Sequence, residues 1–475
     1  MDNDILRFLR YLSFKADCLR EQEANPLTID VGKAQGHYDE LTKVVEEKTK
    51  ALSKVMPKVP DQMQNKPKNL YKQDGSYSAL GKKWFDTLKS LKLPEETEGP
   101  VVVSWKDGNP GSHQQVKDWL ESLGWKPCTY KFQRNKLTGE EKKIPQVRYS
   151  ANSDPRKGEL TDSVLRLKVR EPAIEELEGL TVAQHRRGVF GGFLSEAQGN
   201  KVVASADGLT NTFRLKHRKP IVNLPGVGSP WGKEIRGCIV APEGEVLCGS
   251  DVSSLESMTK RHYMWPHDPE YVTEMAKPGF DEHINLAKFA GAISQEDEAR
   301  YSRGEGDDLK PIRSKFKPAN YAGIYGVKEV TLSRQTGLSV AECKELLKAY
   351  WERNWSVIKI SKEQYVKTLK DGSMWLKNPV SGFYYSLRFE KDIFSTLNQG
   401  TGVFVFDCWV MRMRRKGVIV PMQYHDEVLL SVCEDRVEVT EAILRESMRE
   451  VNDMLQLNVN IEVDVQVGGS YADCH

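Results

Sequence analysis

A chain of 475 residues is too long for one hydrophobic core and calls for two or three subdomains. Its 39% hydrophobic and 29% charged residues are ordinary for a soluble globular protein, and a net charge of +2 rules out polyanion binding through global positive charge. Eight scattered cysteines with no CxxC pair or His/Cys ligand spacing argue for reduced thiols in the cytoplasm and against structural zinc. No run of some 18 apolar residues and no signal h-region is present, so no membrane span or export is expected.

Apolar positions at three and four spacing predict helices over residues 4–22 and 34–56. Residues 57–100 are rich in Pro and Lys, with a helix expected over Ala79–Leu91. Ser112, after Asn109-Pro-Gly, suits the N-cap of a helix that runs on from Gln114. Residues 127–150 form a basic hairpin or loop, and helices return across 159–195. Three local basic clusters can track phosphates: Lys66, Lys68, Lys72, Lys82 and Lys83; Lys131, Arg134, Lys136, Lys142 and Lys143; and His185, Arg186 and Arg187. Most such runs are only solvated faces.

Strands begin near Lys201, and EVLCGSD (245–251) is a short apolar strand ending in an acid. Helical patterns fill 283–292, 340–369 and 391–415. VIVPMQYHDEVLLSV (418–432) reads as two strands around a tight turn, and LNVNIEVDVQV, within 457–475, as a last strand. Helices before and after interrupted strands make this an α+β chain, not a doubly wound one.

Arg313, Lys317, Tyr321 and Tyr325 recur at steps of four, with Asn320 beside them. A step of four drifts only about 40° around a helix, so they form one slanted stripe of two cations and two phenols. Cations suit a polyphosphate and aromatic faces suit a base. The same spacing also fits a solvated charged turn followed by two core tyrosines, and this stretch alone does not decide between them. Asp251 closes one strand and Asp426 sits at the tip of the other turn. Two carboxylates from separate strands can hold two hard cations that bridge a phosphate, the Mg²⁺ pattern of few protein ligands completed by water and phosphate oxygens. A lone Asp at a strand end is more often a turn residue; its combination with the cationic stripe gives the pair its weight.

Three motifs stand in order: Ser250-Asp251-Val-Ser-Ser-Leu-Glu256, Arg313…Lys317…Tyr321…Tyr325-Gly326, and His425-Asp426-Glu427. With Thr212-Phe-Arg214, Asn223-Leu-Pro225, the glycine-rich 226–232 run leading to Arg236, and Asn109…Ser112…Gln115, they resemble the polymerase region of family A DNA polymerases, the bacterial DNA polymerase I family. The likeness is closest to bacteriophage replicative members, down to the terminal His475.

The resemblance implies a right-hand architecture: thumb and its base over 1–200, palm over 201–282 and 386–475, fingers over 283–385. It implies template-directed addition of deoxynucleotides to a primer 3′-OH, with primer-template DNA and dNTPs as partners, joined by a separate exonuclease and a processivity factor or other replisome proteins. Asp251 and Asp426 would ligate two Mg²⁺ ions, which Mn²⁺ can replace, with the Val252 carbonyl completing a site and Glu427 outside it. Arg313, Lys317 and His283 would hold the triphosphate, Tyr321 and Ser253 would line the nucleotide site, and Tyr325 would stack near the template base. Arg214, Gln399, His425, Asn320, Arg186 and Arg187 would contact DNA. Glu256 would sit under the sugar's 2′ carbon and exclude a ribose hydroxyl, which speaks against a single-subunit RNA polymerase. Retention of both metal carboxylates speaks against a non-catalytic replisome scaffold.

The sequence also departs from the pattern. Pro318 inside the stripe predicts a kink or a late helix start at the triphosphate grip. Met258 replaces a usual arginine and Ser395 a usual asparagine, so a supporting ion pair and a minor-groove contact are expected to be missing. Tyr321, where the family has Phe or Tyr, implies weak discrimination against dideoxynucleotides. Residues 1–100 contain no Asp-x-Glu in an apolar strand, so no 3′–5′ exonuclease is expected, and no large thumb insertion of the kind that recruits a processivity protein is apparent.

Overall fold

The computed structural model describes residues 3–135, 138–150 and 156–475; Lys136 of the second basic cluster lies outside them. The chain divides into two compact units, the described residues of 1–38 and 186–475 and those of 39–150 and 156–185. Residues 3–38 and 186–200 fall in the larger unit.

The larger unit is built on a four-stranded antiparallel sheet in the order Met422–Tyr424, Glu427–Cys433, Glu245–Val252, Val463–Gly468. Apolar residues at alternate positions drive it, because Cys248, Val252, Val428, Leu430 and Val463 all enter one core. The helix Ile393–Arg415 lies in that core, with Val405, Trp409 and Met413 fully buried. Helix Val437–Leu455 adds Leu444, Met448 and Val451.

The first helix, Asn3–Ala24, joins the same core through Tyr11, Phe14 and Cys18. Its Lys15 ammonium donates to Asp407 Oδ1 at 2.7 Å, and both side chains are almost wholly out of water. Tyr11 donates to the other carboxylate oxygen of Asp407. A buried ion is tolerable only when its lone pairs are filled, and here two donors converge on one carboxylate.

A second cluster packs helices Glu282–Phe289, Lys310–Gly323 and Val340–Arg353 through Leu286, Phe316, Ala319, Leu346 and Tyr350. The small unit contains the helix Ala79–Ser90, a two-stranded sheet of Val59–Gln64 and Val101–Lys106, and a hairpin of Tyr130–Arg134 with Glu141–Pro145. Ser112 caps the helix His113–Ser122 as expected, its hydroxyl accepting from the Gln115 N–H at 3.5 Å. Among the described residues no helix is long and apolar enough to cross a membrane.

Four expectations need correction. The helix expected over 340–369 breaks at Asn354, whose side-chain amide donates to the Tyr350 carbonyl at 3.0 Å, and the following helix ends at Glu363. Val366–Thr368 is a strand. The terminal strand begins only at Val463, because Asn458 and Ile461 bond instead to His262 and Asn452. The late helix start at Pro318 does not occur, since the helix Lys310–Gly323 runs through it, although Pro318 cannot donate to the Ser314 carbonyl, and it ends before Tyr325. Residues 159–195 are helical only in pieces, with two short 3₁₀ segments before the helix Leu180–Glu196.

Replacing Lys15 by Met leaves Asp407 buried and unpaired. Lys15→Met should cost about 3–5 kcal/mol in equilibrium unfolding, and Lys15→Met/Asp407→Leu should recover much of it. An unchanged denaturation midpoint in the single variant would show that the pair does not hold the first helix.

Candidate active site

Strand pairing brings the acids together. The seven-pair register between Glu245–Val252 and Glu427–Cys433 ends with Asp251 opposite Glu427, and the other edge sets Asp251 opposite Asp464. The Val252 N–H donates to the Asp426 carbonyl at 3.0 Å, tying the turn to the strand end. His425, in that turn, adopts φ 63°, and Ser254, within the first motif, adopts φ 50°. Such conformations are costly for residues other than glycine and persist where surrounding structure fixes them. An open cleft results, lined by Asp251, His425, Asp426, Glu427, Asp464 and His475.

Asp251 meets solvent, yet burial of its surroundings and then the charges of Asp426, Glu427 and Asp464 push its carboxyl up to about 7. Four acids are crowded, and among the described residues no cation is paired with Asp251. Among the described residues no group of three or more His, Cys, Asp or Glu is arranged to hold a metal ion. Two hard carboxylates, Asp251 and Asp426, suit a cation whose remaining ligands come from water and phosphate. Glu427 is differently placed: it is buried, Tyr471 donates to Oε2 at 3.0 Å, and His475 Nε2 lies 3.2 Å from Oε1. The Ser253 hydroxyl donates to Asp464 Oδ2 at 2.7 Å.

A basic and aromatic wall stands beside the acids. The backbone N–H of His425 donates to His217 Nε2 at 3.3 Å. Burial, then His425 and Arg214, hold His217 down to about 4, and burial and Arg214 also lower His425.

Arg313, Lys317 and Tyr321 of the stripe lie on the helix Lys310–Gly323, and Tyr325 follows its end. Tyr321 is 58% and Tyr325 45% exposed, which removes the alternative of two core tyrosines. Phe316, Ala319, Asn320 and Gly323 are buried on the opposite side. Arg313 Nε donates to Asp281 Oδ2 at 2.7 Å, while Asp281 also accepts from the N–H groups of His283 and Ile284. Lys317 Nζ lies 5.6 Å from the Tyr321 ring centroid. His283 is almost wholly buried, with Nδ1 3.1 Å from Asn320 Nδ2 and its ring 5.4 Å from that of Tyr321. Asn320 therefore faces inward, also donating to the Glu282 carbonyl at 3.1 Å, because the helix turns it away from the exposed stripe.

Tyr325 reaches back from beyond the helix end, and its hydroxyl donates to Glu256 Oε1 at 3.3 Å. Burial and Glu256 raise its phenol, and Gln399 and Arg214 stand in the same neighbourhood. The Asn398 side-chain amide donates to the Glu256 carbonyl at 2.9 Å. Arg186 and Arg187 lie on Leu180–Glu196, and Arg186 donates to the Pro230 carbonyl at 3.0 Å. Met258 packs against the main core, and Ser395 donates to the Asp392 carbonyl at 3.1 Å.

Sequence reasoning missed Asp464, Asp281, His217, Tyr471 and Asn398. Only Asp464 had a local signal, as an acid alternating with valines in the last strand.

Four crowded carboxylates repel one another in the metal-free protein. Asp251→Asn removes one charge and keeps the shape, so in chelator its thermal midpoint should rise by about 2 °C or more. A lower midpoint than wild type would contradict the crowding.

Comparison with known proteins agrees with this geometry. The family model described as DNA polymerase family A matches residues 193–473, more than half of the chain. Thermostable DNA polymerase I of Thermus filiformis is 27% identical over 279 residues, covering 56% of this chain and 31% of that protein. DNA polymerase I of Lactococcus lactis subsp. cremoris is 24% identical over 280 residues, covering 55% and 30%. The chain thus matches about a third of the length of these relatives. The fold is also that of the POL domain of Pol1 from M. smegmatis, solved in complex with DNA primer-template and dNTP, with a TM-score of 0.66 at 17% identity over 98% of this chain and 70% of that one. From residue 193 onward, the acidic strand ends and the stripe fall inside the matched region, and the chain belongs to DNA polymerase family A.

Proposed function

We propose that this chain is a template-directed DNA polymerase that adds deoxynucleotides to a primer 3′-OH, and that it serves in phage DNA replication without proofreading of its own. The observation that carries the reading is the Tyr325–Glu256 hydrogen bond at 3.3 Å, which sets the end of the stripe beside the first acidic motif. On this reading the stripe and the carboxylates would serve one reacting centre, as phosphoryl transfer requires. The M. smegmatis structure, solved with primer-template and dNTP, supports the choice of substrates.

Asp251 and Asp426, with the Val252 carbonyl, would hold two Mg²⁺ ions, and Mn²⁺ would substitute; crowding of hard oxygens is what favours their binding. Bound there, the ions would activate the primer hydroxyl and stabilise the departing pyrophosphate. Glu427, engaged by Tyr471 and His475, would steady the turn that carries Asp426. Arg313 and Lys317 would neutralise the triphosphate, with Asp281 fixing the Arg313 guanidinium. His283, gripped by Asn320, would support Tyr321 against the incoming sugar and base. Glu256, anchored through its own carbonyl by Asn398, would close the space a 2′-hydroxyl needs. Arg214, His425 and Gln399 would hold the primer end and minor groove, where acceptors are similar across base pairs.

Primer extension by the purified chain tests the reading. Wild type should extend with dNTPs, and Asp251→Asn should lose at least about a hundredfold in rate. Glu256→Ala should admit ribonucleotides, and Tyr321→Phe should restore rejection of dideoxynucleotides. Extension by Asp251→Asn at the wild-type rate would overturn the assignment. Degradation of an unpaired primer end that survives loss of Asp251 and Asp426 would overturn the absence of proofreading.

A further inference from the structure

The segment between residues 57 and 106 carries chemistry that the cleft does not use. It folds around its own small core of Trp84, Leu88 and Val101, so its surface is fixed and not a random tail. On that surface stands a cluster of three rings, of which Tyr71 and Tyr77 are stacked and Phe85 is tilted against both. Phe85 packs partly against the core, the Tyr77 ring lies 4.9 Å from it, and the Tyr71 ring lies 5.2 Å from Tyr77 at an interplanar angle of 27°. The two tyrosines pair across a β-bridge closed by a turn, in which the Lys72 N–H donates to the Ser76 carbonyl at 2.7 Å and Gly75 takes φ 81°. Burial would be the ordinary fate of such rings, yet Tyr71 remains 53% and Tyr77 46% exposed.

Charge accompanies the rings. Lys72 follows Tyr71 directly, Lys68 lies three residues before it, and Lys82 stands one helical turn before Phe85, next to Lys83. All four lysines are exposed and none is in an ion pair among the described residues. The nearby acids are partly spent: Asp74 closes the turn by accepting from Ser76 at 2.6 Å, and Glu98 pairs with Lys66 at 2.8 Å. Glu95 is the acid that bears on Tyr77. Stacked aromatic faces flanked by free ammonium groups are the makings of a platform for bases and phosphates together.

We propose that this surface binds single-stranded DNA, bases stacking on Tyr71 and Tyr77 while Lys68, Lys72, Lys82 and Lys83 neutralise the backbone. A duplex hides its base faces and would gain only the lysines. The binding does not depend on the polymerase reading, which serves only to identify the bound strand as unpaired template.

Anisotropy of a labelled oligothymidylate with the full chain tests this. Tyr71→Ala/Tyr77→Ala should weaken binding at least about fivefold, since each stacked base is lost. Tyr71→Phe/Tyr77→Phe should bind as wild type, because the ring faces remain. Lys68→Gln/Lys72→Gln/Lys82→Gln/Lys83→Gln should reduce the salt slope by about 3. Single-nucleotide incorporation on a primer-template with a one-base overhang should stay unchanged in all three variants. That assay separates the two claims, because its failure in wild type would sink the polymerase assignment and leave the platform standing. Wild-type affinity in the alanine variant would overturn the platform, as would an equal loss in the phenylalanine variant. So would a loss confined to blunt duplex, or a wild-type salt slope in the lysine variant, which would leave the surface to a protein partner. If the alanine variant unfolds, the phenylalanine and lysine variants decide.

Discussion

The antiparallel register between Glu245–Val252 and Glu427–Cys433 is the constraint on which the rest depends. A strand slip of one residue would turn Cys248 and Val428 out of the core and turn Asp251 away from the cleft. The apolar alternation that fixes the core therefore also fixes the acids. Burial supplies the free energy that holds Asp251 against the repulsion of Asp426, Glu427 and Asp464. The site is unfavourable by itself and is stabilised by the strands beneath it.

Around that centre, polar side chains are spent on position. Asp281 caps one helix and fixes Arg313 on another; Asn320 grips His283; Asn398 holds Glu256; Tyr471 and His475 occupy Glu427. Each of these supports a group that faces the cleft or the stripe. Tyr325 then links the two regions through Glu256. Deeper still, Lys15 and Asp407 fasten the first helix to the core helix that carries Asn398 and Gln399.

Much of this was legible because it is local. The strand at 245–251, the turn at His425-Asp426 and the Ser112 cap each show in a few neighbouring residues. The stripe was visible as a spacing, but whether its tyrosines faced out depended on Phe316, Ala319 and Gly323 packing elsewhere. Asp464 was hidden because its role comes from pairing with a strand more than 200 residues away. The break at Asn354 was hidden because apolar spacing continues across it while one side-chain amide ends the helix. Residues 57–106 read as a mixed basic segment, and their small core became evident only once the two-stranded sheet brought Val101 to Trp84 and Leu88.

The most direct measurement is single-turnover incorporation by Asp426→Asn beside wild type, with primer-template and dNTP at saturating concentration and Mg²⁺ titrated. The account predicts that the variant still binds primer-template but forms the new phosphodiester bond at least about a hundredfold more slowly at every Mg²⁺ concentration. Bond formation at the wild-type rate would contradict the claim that the acids at the strand ends carry the chemistry.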